Sequence, residues 1–422
     1  MNVRSFTQSL LKSFGIIGFI FILAGCTSKG VLSTFDVKGP VAQMQLDLFM
    51  VTFWVSLFLF ITVGGAFTYA LIRYREKPSE RNLAPPKTST HGNPLVEGSL
   101  LIVSTICLVI IAIPTLRGIW FMEELPDYAE TEGFVEVDVI GKQWWWEFTY
   151  RDELGSFTTA NELVIPVNRP VQLNLRSGDV LHSFWIPQLA GKKDLTTGRK
   201  NTMWIQADEI GHYYGQCAEF CGEAHSYMAF RTRAMSEDDY TQWIDNQRQN
   251  ANGPGGLTWE QFYAFLDNAA QDTATAAILA SDPILDGARI FMTKGQCVQC
   301  HAIDGSRAAG VLGPNLTHFG NRQTVGAGLL DNRPEKTGEM VGMIDASSLE
   351  QWLTKEGSAK SGNLHLDNIY RWLRYSEKVK PGNLMYRSLR AEGFEYSDTE
   401  EAKMILSDNE IKRVSAYLQS LK

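Results

Sequence analysis

The residues best suited to chemistry in this 422-residue chain are two closely spaced cysteines with three further metal-binding side chains. Cys217 and Cys221 lie four positions apart, His225 follows four positions later, Met228 three beyond that, and His182 precedes Cys217 by 35 residues. Thiolate, imidazole and thioether groups are the soft ligands that select copper. The two cysteines and two histidines could instead close a tetrahedral zinc site. Met228, a poor zinc ligand but a good weak copper ligand, favours copper.

A second pair of cysteines belongs to the sequence Cys297-Val298-Gln299-Cys300-His301. This C-x-x-C-H spacing is the attachment sequence of c-type haem. The two cysteines would hold the porphyrin through thioether bonds, and His301 would supply the proximal imidazole to the iron. We therefore predict a covalently bound haem c in the C-terminal part of the chain.

The N-terminal residues predict that both sites are exported. Residues 1–25 carry two bases ahead of an apolar run and end in small residues, as a signal peptide does. Leu23-Ala24-Gly25-Cys26 resembles a bacterial lipobox, in which Cys26 would be lipidated and become the first mature residue. The alternative is an ordinary cleavage site with an incidental cysteine.

Two apolar stretches, 44–72 and 95–116, are each long enough for the roughly 20 residues that cross a hydrocarbon core. The connection 73–94 carries five bases against two acids. By the positive-inside rule this connection is cytoplasmic, and everything beyond residue 117 is exported. We predict a transmembrane hairpin over 40–118 in a bacterial inner membrane, with the C-terminal domains on the periplasmic side.

Composition excludes several classes of protein. The length allows two or three domains. With 44% hydrophobic and 20% charged residues, the chain is neither disordered nor a polytopic protein with little outside the bilayer. A net charge of −8 with no Lys/Arg-rich run argues against nucleic-acid binding. With Cys26 assigned to lipid, Cys107 inside a span and the other four cysteines in the two motifs, no disulfide is expected.

The periodicity predicts an all-β domain followed by helices. Residues 135–139 alternate between apolar and polar types, and further strand-like runs lie at 144–150, 162–167, 171–176, 202–207 and 226–233. Short strands with turn signals over 119–235 indicate a sandwich or Greek-key barrel.

A helical linker is predicted over 236–283. It contains a helix start at 236–239, a capping box at Thr258 and Gln261, and a Gly/Pro/Asn-rich stretch at 250–256. We expect the linker to be flexible and to hold the last domain near the β domain at an effective concentration of about a millimolar. Residues 284–422 have a helical pattern with long loops, which predicts a separate all-α domain.

The copper-type motif, the β domain and the two spans together resemble cytochrome c oxidase subunit II over roughly residues 40–235. The resemblance implies a cupredoxin-like Greek-key domain with the family's binuclear copper centre, CuA. Two thiolates would bridge two copper ions, one imidazole would bind each ion, and a thioether and a backbone carbonyl would be weak ligands. Those ligands would be Cys217 and Cys221, His182 and His225, Met228, and the carbonyl of Glu219.

Three further roles follow from the same resemblance. The side chain of Glu219 would reach a magnesium ion shared with subunit I; a solvated turn carboxylate is the alternative. Trp144, in a Gln-Trp-Trp-Trp segment, would be the point of electron entry, although a core tryptophan triplet is also possible and Trp145 departs from the family's usual tyrosine. Glu97, at the cytoplasmic start of the second span, would stand at the mouth of a proton channel, or would simply anchor the helix at the interface.

The C-terminal domain resembles a class I cytochrome c. Gly313-Pro314-Asn315-Leu316 resembles the family loop in which the Pro314 carbonyl holds the proximal histidine. Met385, after a Lys-Pro-Gly turn, matches the axial-methionine motif and would be the distal haem ligand. The other methionines considered are Met340 and Met343, which stay open, and Met404, expected in the packing stripe of the last helix. His318 and His365 are expected to be surface or hydrogen-bonded residues.

The chain is therefore identified as a member of the subunit II family with a cytochrome c fused at its C-terminus, the caa type of haem-copper oxidase. Electrons would pass from an external donor through haem c and CuA to subunit I, where oxygen is reduced to water with proton translocation. Expected partners are subunit I, other oxidase subunits, the donor and the membrane, with no nucleic acid. Nitrous-oxide reductase shares the copper motif, but seven histidines are too few for its catalytic domain. A copper-delivery protein is the rival from another class.

Overall fold

The computed structural model describes residues 30–75, 92–333, 346–355, 360–385 and 404–422. The predicted signal segment with Cys26 lies outside these residues, and so do Met340 and Met343. Along the described chain a pair of long helices is followed by a β domain and then by a mainly helical region. Cys107, Cys217, Cys221, Cys297 and Cys300, the cysteines among these residues, are free.

The two long helices are α1, Pro40–Arg73, and α2, Pro94–Glu123. At 1.5 Å per residue their 34 and 30 residues span about 50 and 45 Å, more than the roughly 30 Å of a hydrocarbon core. Both are apolar enough to cross a membrane, and most of their large apolar side chains are exposed. A surface of this kind is suited to lipid, so the predicted hairpin is confirmed.

The β domain follows a short helix, α3, Ala129–Glu132, and consists of two five-stranded sheets. Its strands are β1 Val135–Lys142, β2 Trp145–Asp152, β3 Gly155–Ala160, β4 Glu162–Pro166, β5 Val171–Ser177, β6 His182–Trp185, β7 Lys192–Leu195, β8 Asn201–Ile205, β9 Gly211–Cys217 and β10 Ala229–Met235. One sheet has the order β3-β2-β1-β5-β8, and the other has the order β4-β10-β9-β6-β7. Strands that are distant in sequence lie side by side in each sheet, so the fold is the cupredoxin-like sandwich that was expected.

The core between the sheets follows from alternation along the strands. Val135, Val137 and Val139 of β1 are buried, while the residues between them are only partly buried. The rings of Trp146 and Phe230 lie 5.3 Å apart within this core, and both side chains are fully buried. Such aromatic packing makes the sheet pair a rigid support for the loops at its end.

Backbone hydrogen bonds fix the β domain on the outer end of the hairpin. The N–H of Lys38, just before α1, donates to the carbonyl of Gln188 at 2.7 Å, and the N–H of Asp208 donates to the carbonyl of Lys38 at 2.9 Å. The indole of Trp204 donates to the carbonyl of Phe121 near the end of α2 at 2.9 Å. Both membrane helices are therefore tied to the domain that they carry.

The helical region contains seven α-helices and one small hairpin among the described residues. The helices are α4 Glu237–Gln247, α5 Trp259–Ala269, α6 Thr273–Ser281, α7 Pro283–Met292, α8 Ala346–Thr354, α9 Leu364–Val379 and α10 Asp408–Ser420; the hairpin strands are β11 Thr324–Val325 and β12 Leu330–Asp331. The predicted capping box of Thr258 with Gln261 is present at the start of α5. The last helix begins at Asp408, so Met404 precedes it instead of belonging to its packing stripe.

Gly287 of α7 permits the close crossing of α7 and α10. A Cβ atom at this position would overlap the carbonyl of Arg413 in α10. Only glycine lets two helix backbones approach so closely, so this crossing depends on the absence of a side chain. The crossing brings together the first and last described helices of residues 283–422, here called the C-terminal region, beside the haem-attachment sequence that follows α7.

The prediction that the linker is flexible is wrong. In the Gly/Pro/Asn-rich stretch, Ala251 and Pro254 are buried, and the N–H of Ala251 donates to the carbonyl of Asp304 at 3.0 Å. The indole of Trp259 donates to the carbonyl of Ala251 at 2.7 Å. Because both backbone groups of Ala251 are hydrogen-bonded and the side chains of Ala251 and Pro254 are buried, the stretch is packed against the C-terminal region and does not behave as a free chain.

Direct contacts also join the C-terminal region to the β domain. The carboxylate of Glu162 in β4 accepts from the N–H of Thr324 at 2.7 Å and from its hydroxyl at 2.9 Å. The guanidinium of Arg231 lies 3.9 Å from the centre of the Tyr214 ring and donates to the carbonyl of Gly328 at 2.6 Å. The two regions therefore form a defined interface.

His318 and His365 are not on the surface. His318 is 7% exposed and His365 is 2% exposed. The Nε2 of His318 lies 2.9 Å from the carbonyl of Gln249, so this histidine is hydrogen-bonded as expected. Burial lowers the pKa of His365 to about 4, so its ring is neutral.

Candidate copper and haem sites

The copper-type residues converge because one loop and one strand meet at the end of the second sheet. Cys217 ends β9, and the loop that follows runs to β10. His182 begins β6, which pairs with β9 so that Phe184 lies opposite Cys217. The N–H of Ala218 donates to the carbonyl of Ser183 at 2.9 Å, which holds the start of the loop against β6.

The two thiols are the centre of the cluster, with their sulfur atoms 3.8 Å apart. Each sulfur has its own set of neighbours. Near Cys217 lie the Nδ1 of His182 at 3.9 Å and the carbonyl of Glu219 at 3.2 Å. Near Cys221 lie the Nδ1 of His225 at 3.6 Å and the Sδ of Met228 at 3.8 Å.

This arrangement has a two-fold character that bears on the choice of metal. Each sulfur has one imidazole and one weaker donor beside it, and the ligand atoms of His182, Cys217 and Cys221 all lie within 4.8 Å of one another. A single tetrahedral zinc would use four donors and leave the thioether of Met228 and the carbonyl of Glu219 without a metal to bind. Two ions bridged by the thiolates would use all six donors, so the donor set fits a binuclear copper centre.

The two thiols have opposite pKa shifts, which bears on how they bind metal. The hydrogen bond from Cys221 lowers the pKa of the Cys217 thiol, and the same contact raises the pKa of Cys221. One thiolate and one thiol therefore share a proton in the metal-free pair. Since metal ligands must be deprotonated, binding of metal would displace that remaining proton.

Asp179 fixes the orientation of His182. The Nε2 of His182 lies 2.7 Å from the carboxylate of Asp179, and Asp179 also accepts from the N–H groups of Gln143 and Val180, each at 2.6 Å. Burial by itself lowers the pKa of His182, but the bonds to Asp179 and Cys217 outweigh burial and raise it. With Nε2 held by a carboxylate, Nδ1 is the nitrogen turned to the sulfur, a typical outer-shell arrangement in metal sites.

The three tryptophans after Gln143 have three different environments. The Nε1 of Trp144 donates to the carbonyl of Cys221 at 3.0 Å, and the side-chain amide of Gln143 donates to the same oxygen at 2.7 Å. Trp145 lies under the ammonium of Lys142, 4.7 Å from its ring centre. Trp146 is fully buried in the core. The Nε1 of Trp146 donates to the carbonyl of Met228 at 3.4 Å. Trp144 and Trp146 therefore both contact the loop 218–228, here called the copper loop, and Trp144 is the one bound to the carbonyl of Cys221.

The haem-attachment residues lie after α7. Cys297 begins a single helical turn, Cys297–Gln299, Cys300 follows it directly, and neither cysteine forms a disulfide. The Nδ1 of His301 lies 2.8 Å from the carbonyl of Pro314. Burial lowers the pKa of His301, so the ring is neutral, Nδ1–H is donated to Pro314, and Nε2 retains a lone pair suited to iron. This arrangement fits a proximal haem ligand.

The other residues predicted from the sequence are Met385, Met404, Glu219 and Glu97, and each has a different environment. Met385 is half-buried at the end of the described segment 360–385, and Met404 is half-buried before α10. The backbone carbonyl of Glu219 faces Cys217, but its carboxylate does not belong to the metal-ligand group found among the described residues. Glu97 is exposed in the first turn of α2, next to the connection predicted to be cytoplasmic.

Two residues of these sites were not identified from the sequence. Asp179 lies three positions before His182, and this spacing in a loop before a strand is a weak signal that could have indicated an outer-shell partner. Lys380 is 3% exposed and donates through Nζ to the carbonyl of Trp144, 236 residues away in sequence. No local signal in the sequence could have revealed a contact over that separation.

The hairpin, the cupredoxin-like sandwich and the sulfur–imidazole cluster at its end define a membrane-anchored protein that carries a metal-binding β domain outside the bilayer. The family description "Cytochrome C oxidase subunit II, periplasmic domain" matches residues 151–235. The chain is 33% identical over 343 residues to cytochrome c oxidase subunit 2 of Alkalihalophilus pseudofirmus, covering 81% of this chain and 87% of the relative. The chain belongs to the cytochrome c oxidase subunit II family.

The chain is also similar to two further proteins. Cytochrome c oxidase subunit 2 of Bacillus subtilis is 27% identical over 417 residues, covering 95% of this chain and 94% of the relative. The crystal structure of the periplasmic domain of subunit II of cytochrome oxidase of Bradyrhizobium japonicum is 28% identical, with a TM-score of 0.27, and covers 30% of this chain and 97% of that chain. The chain is thus a two-pass membrane protein with its C-terminal part outside, and it is subunit II of a haem-copper oxidase.

Proposed function

We propose that this chain accepts electrons from an external donor on a covalent haem c and passes them through a CuA centre to subunit I. There, oxygen would be reduced to water with proton translocation. The observation that carries the proposal is the paired donor set around Cys217 and Cys221, in which each sulfur has its own imidazole and weak donor. A bridged copper pair supplies one-electron transfer with little change in geometry, and a haem c supplies the preceding one-electron carrier.

The residues of the chain divide the work of holding these groups. At the copper centre the thiolates of Cys217 and Cys221 would bind both copper ions. The other ligands would be His182, His225, Met228 and the carbonyl of Glu219. Asp179 holds the His182 ring, and Trp144 holds the loop through the Cys221 carbonyl. Because these partners are fixed before metal binds, the donors need little rearrangement on a change of charge.

At the haem site Cys297 and Cys300 would form the thioether bonds, with His301 as proximal ligand and Met385 as distal ligand. The Pro314 carbonyl keeps the His301 ring in the tautomer that leaves Nε2 for iron. Electrons would then reach Trp144 from the haem of this same chain. The support for this route is the contact between Lys380, in the C-terminal region, and the Trp144 carbonyl.

Several predicted features complete the proposal. We divide the chain into a signal peptide, 1–25, lipidated at Cys26; a membrane hairpin, 40–118; a copper domain, 119–235; a helical linker, 236–283; and a cytochrome c domain, 284–422. The Glu219 carboxylate would bind a magnesium ion shared with subunit I, and Glu97 would serve proton entry. Subunit I, other oxidase subunits and an external donor are the proposed partners.

An optical spectrum of the purified membrane complex tests this function. We expect haem a and haem c bands together, with the haem c band remaining on the chain after denaturation because its attachment is covalent. Cys300→Ser should weaken that attachment and leave copper content unchanged. Cys217→Ser should lower copper content and leave the haem attached. A complex without haem c, or a chain that loses its copper readily to chelators and does not associate with subunit I, would favour a copper-delivery protein instead.

A further inference from the structure

Lys380 is a buried amine at the junction between the C-terminal region and the copper loop. It follows α9, is 3% exposed, and donates through Nζ to the carbonyl of Trp144. Burying an amine away from water is costly unless a hydrogen-bond acceptor compensates it, and burial lowers the pKa of Lys380 to about 7. Both the ammonium and the neutral amine donate hydrogen bonds, so the contact with Trp144 does not depend on the charge.

Trp144 connects this lysine to the copper loop. Its carbonyl accepts from Lys380, and its indole nitrogen donates to the carbonyl of Cys221 at 3.0 Å. The side chain of Gln143 donates to the same Cys221 oxygen at 2.7 Å. A short chain of hydrogen bonds therefore runs from the C-terminal region to the backbone of a proposed copper ligand.

A second contact lies two residues beyond Lys380. Gly382 has φ +76°, and a Cβ atom there would overlap the carboxylate of Glu223 in the copper loop. The N–H of Gly382 donates to Glu377 at 3.1 Å, and the side chain of Asn383 donates to the carbonyl of Lys380 at 2.7 Å. Residues 380–385, here called the docking segment, are thus held in shape and lie directly on the copper loop.

We propose that Lys380 is a positioning residue that fixes the docking segment on Trp144, so that Met385 and the Cys221 carbonyl keep a constant separation. This inference rests on the proposed function and deepens it. In that function one electron would leave the haem held by Cys297, Cys300 and His301 and would enter the copper pair held by Cys217 and Cys221, with no bond made or broken. The role proposed for Lys380 is to hold the docking segment and involves no proton transfer. The transfer between the two centres then needs no diffusive docking step, unlike transfer from a flexibly tethered domain.

The test uses the full-length chain in the assembled oxidase with Lys380→Met, which keeps the length of the side chain but removes its donor. Lys378→Met is the matched control, because Lys378 is exposed two positions earlier. The first readout is amide hydrogen exchange over residues 143–146 and 218–224. We expect opening of these segments to increase about tenfold in Lys380→Met, as for loss of a hydrogen bond from a charged donor. Lys378→Met should match the wild type.

The second readout is the rate at which an electron equilibrates between haem and copper after photoreduction of the haem. This rate should fall in Lys380→Met and recover in Lys380→Arg, which restores a donor. If Lys380→Met loses copper or haem, Gly382→Ala replaces it, because the added Cβ would push the docking segment away with Lys380 intact. Unchanged exchange and an unchanged rate in either variant would overturn the inference.

The outcomes separate this inference from the proposed function. A wild-type chain that lacks either centre, or that transfers no electron between them, contradicts the proposed function itself. A wild-type chain that transfers electrons, beside a Lys380→Met chain that behaves like Lys378→Met, leaves the function standing and removes only the positioning role.

Discussion

The indole nitrogen of Trp144 donates to the carbonyl oxygen of Cys221 at 3.0 Å, which joins the first tryptophan of the triplet to the copper loop. Trp144→Phe keeps an aromatic ring and removes this donor. We expect the variant to retain copper, to lose about 1 kcal/mol of copper-loop stability, and to shift the visible spectrum of the centre. Copper content measures retention of the metal, amide hydrogen exchange of the copper loop measures its stability, and the optical spectrum measures the shift.

Trp145→Phe is the control for this prediction, because the Trp145 ring faces Lys142 and has no bond to the copper loop. A spectrum that shifts equally in both variants would show that the triplet acts only as packing.

Asp179 should control copper affinity through His182. Asp179→Asn replaces a carboxylate acceptor that lies 2.7 Å from His182 Nε2 by an amide. Loss of such an outer-shell partner typically lowers metal affinity about 10- to 100-fold. Competition with a copper chelator measures the change, and Asp194→Asn, at an exposed position of β7, should leave the affinity unaltered. Equal affinities for the two variants would argue against an orienting role for Asp179.

Met385 should be the distal haem ligand. Met385→Ala would remove the thioether, abolish the weak near-infrared sulfur-to-iron band of the oxidised haem and lower its potential. Met404→Ala should keep the band, because Met404 lies before α10 in a separate segment. A band that survives in Met385→Ala would move the assignment to another methionine, with Met340 and Met343 as the next variants.

Glu162 should make the interface between the β domain and the C-terminal region depend on pH. Burial raises the pKa of Glu162, although the bonds from Thr324 oppose that effect. A raised folded-state pKa in an acid means that the folded form holds the proton more tightly. The contribution of Glu162 to stability is therefore complete below the usual carboxyl pKa and is lost as pH rises through the raised value.

Thermal unfolding of the full chain between pH 4 and pH 8 tests this expectation. Glu162→Gln should lose less stability than the wild type over this range, because the amide does not ionise. Glu153→Gln, in an exposed turn, provides the baseline. Parallel pH profiles for wild type and Glu162→Gln would rule out a contribution from Glu162 ionisation.

Most of the candidate ligands could be predicted from the sequence because they are residue types that bind metal or haem and lie only a few positions apart. The hairpin followed from two apolar runs, and the strands with alternating burial, such as β1, followed from periodicity. Strand β6 was missed, because His182, Ser183 and Phe184 are buried at three consecutive positions and give no alternation. Strand β9 was missed as well; it contains two glycines and begins with a half-buried pair.

The interface between the β domain and the C-terminal region could not be predicted. Its contacts join residues that are distant in sequence, such as Glu162 with Thr324 and Trp144 with Lys380. Each of these residues is unremarkable in its local sequence, and the glycines and asparagines of the linker favoured a flexible chain. Burial of Ala251 depends on a surface formed by a later part of the chain, which local patterns do not encode.

The most direct test of the central claim is the metal content and spin count of the oxidised, purified chain. Two bridging thiolates with separate sets of donors predict two copper ions per chain that share one unpaired electron in a mixed-valence spectrum. Cys221→Ser should abolish that shared signal. One zinc ion per chain without visible absorption, or a single copper ion with one localised spin, would contradict the account.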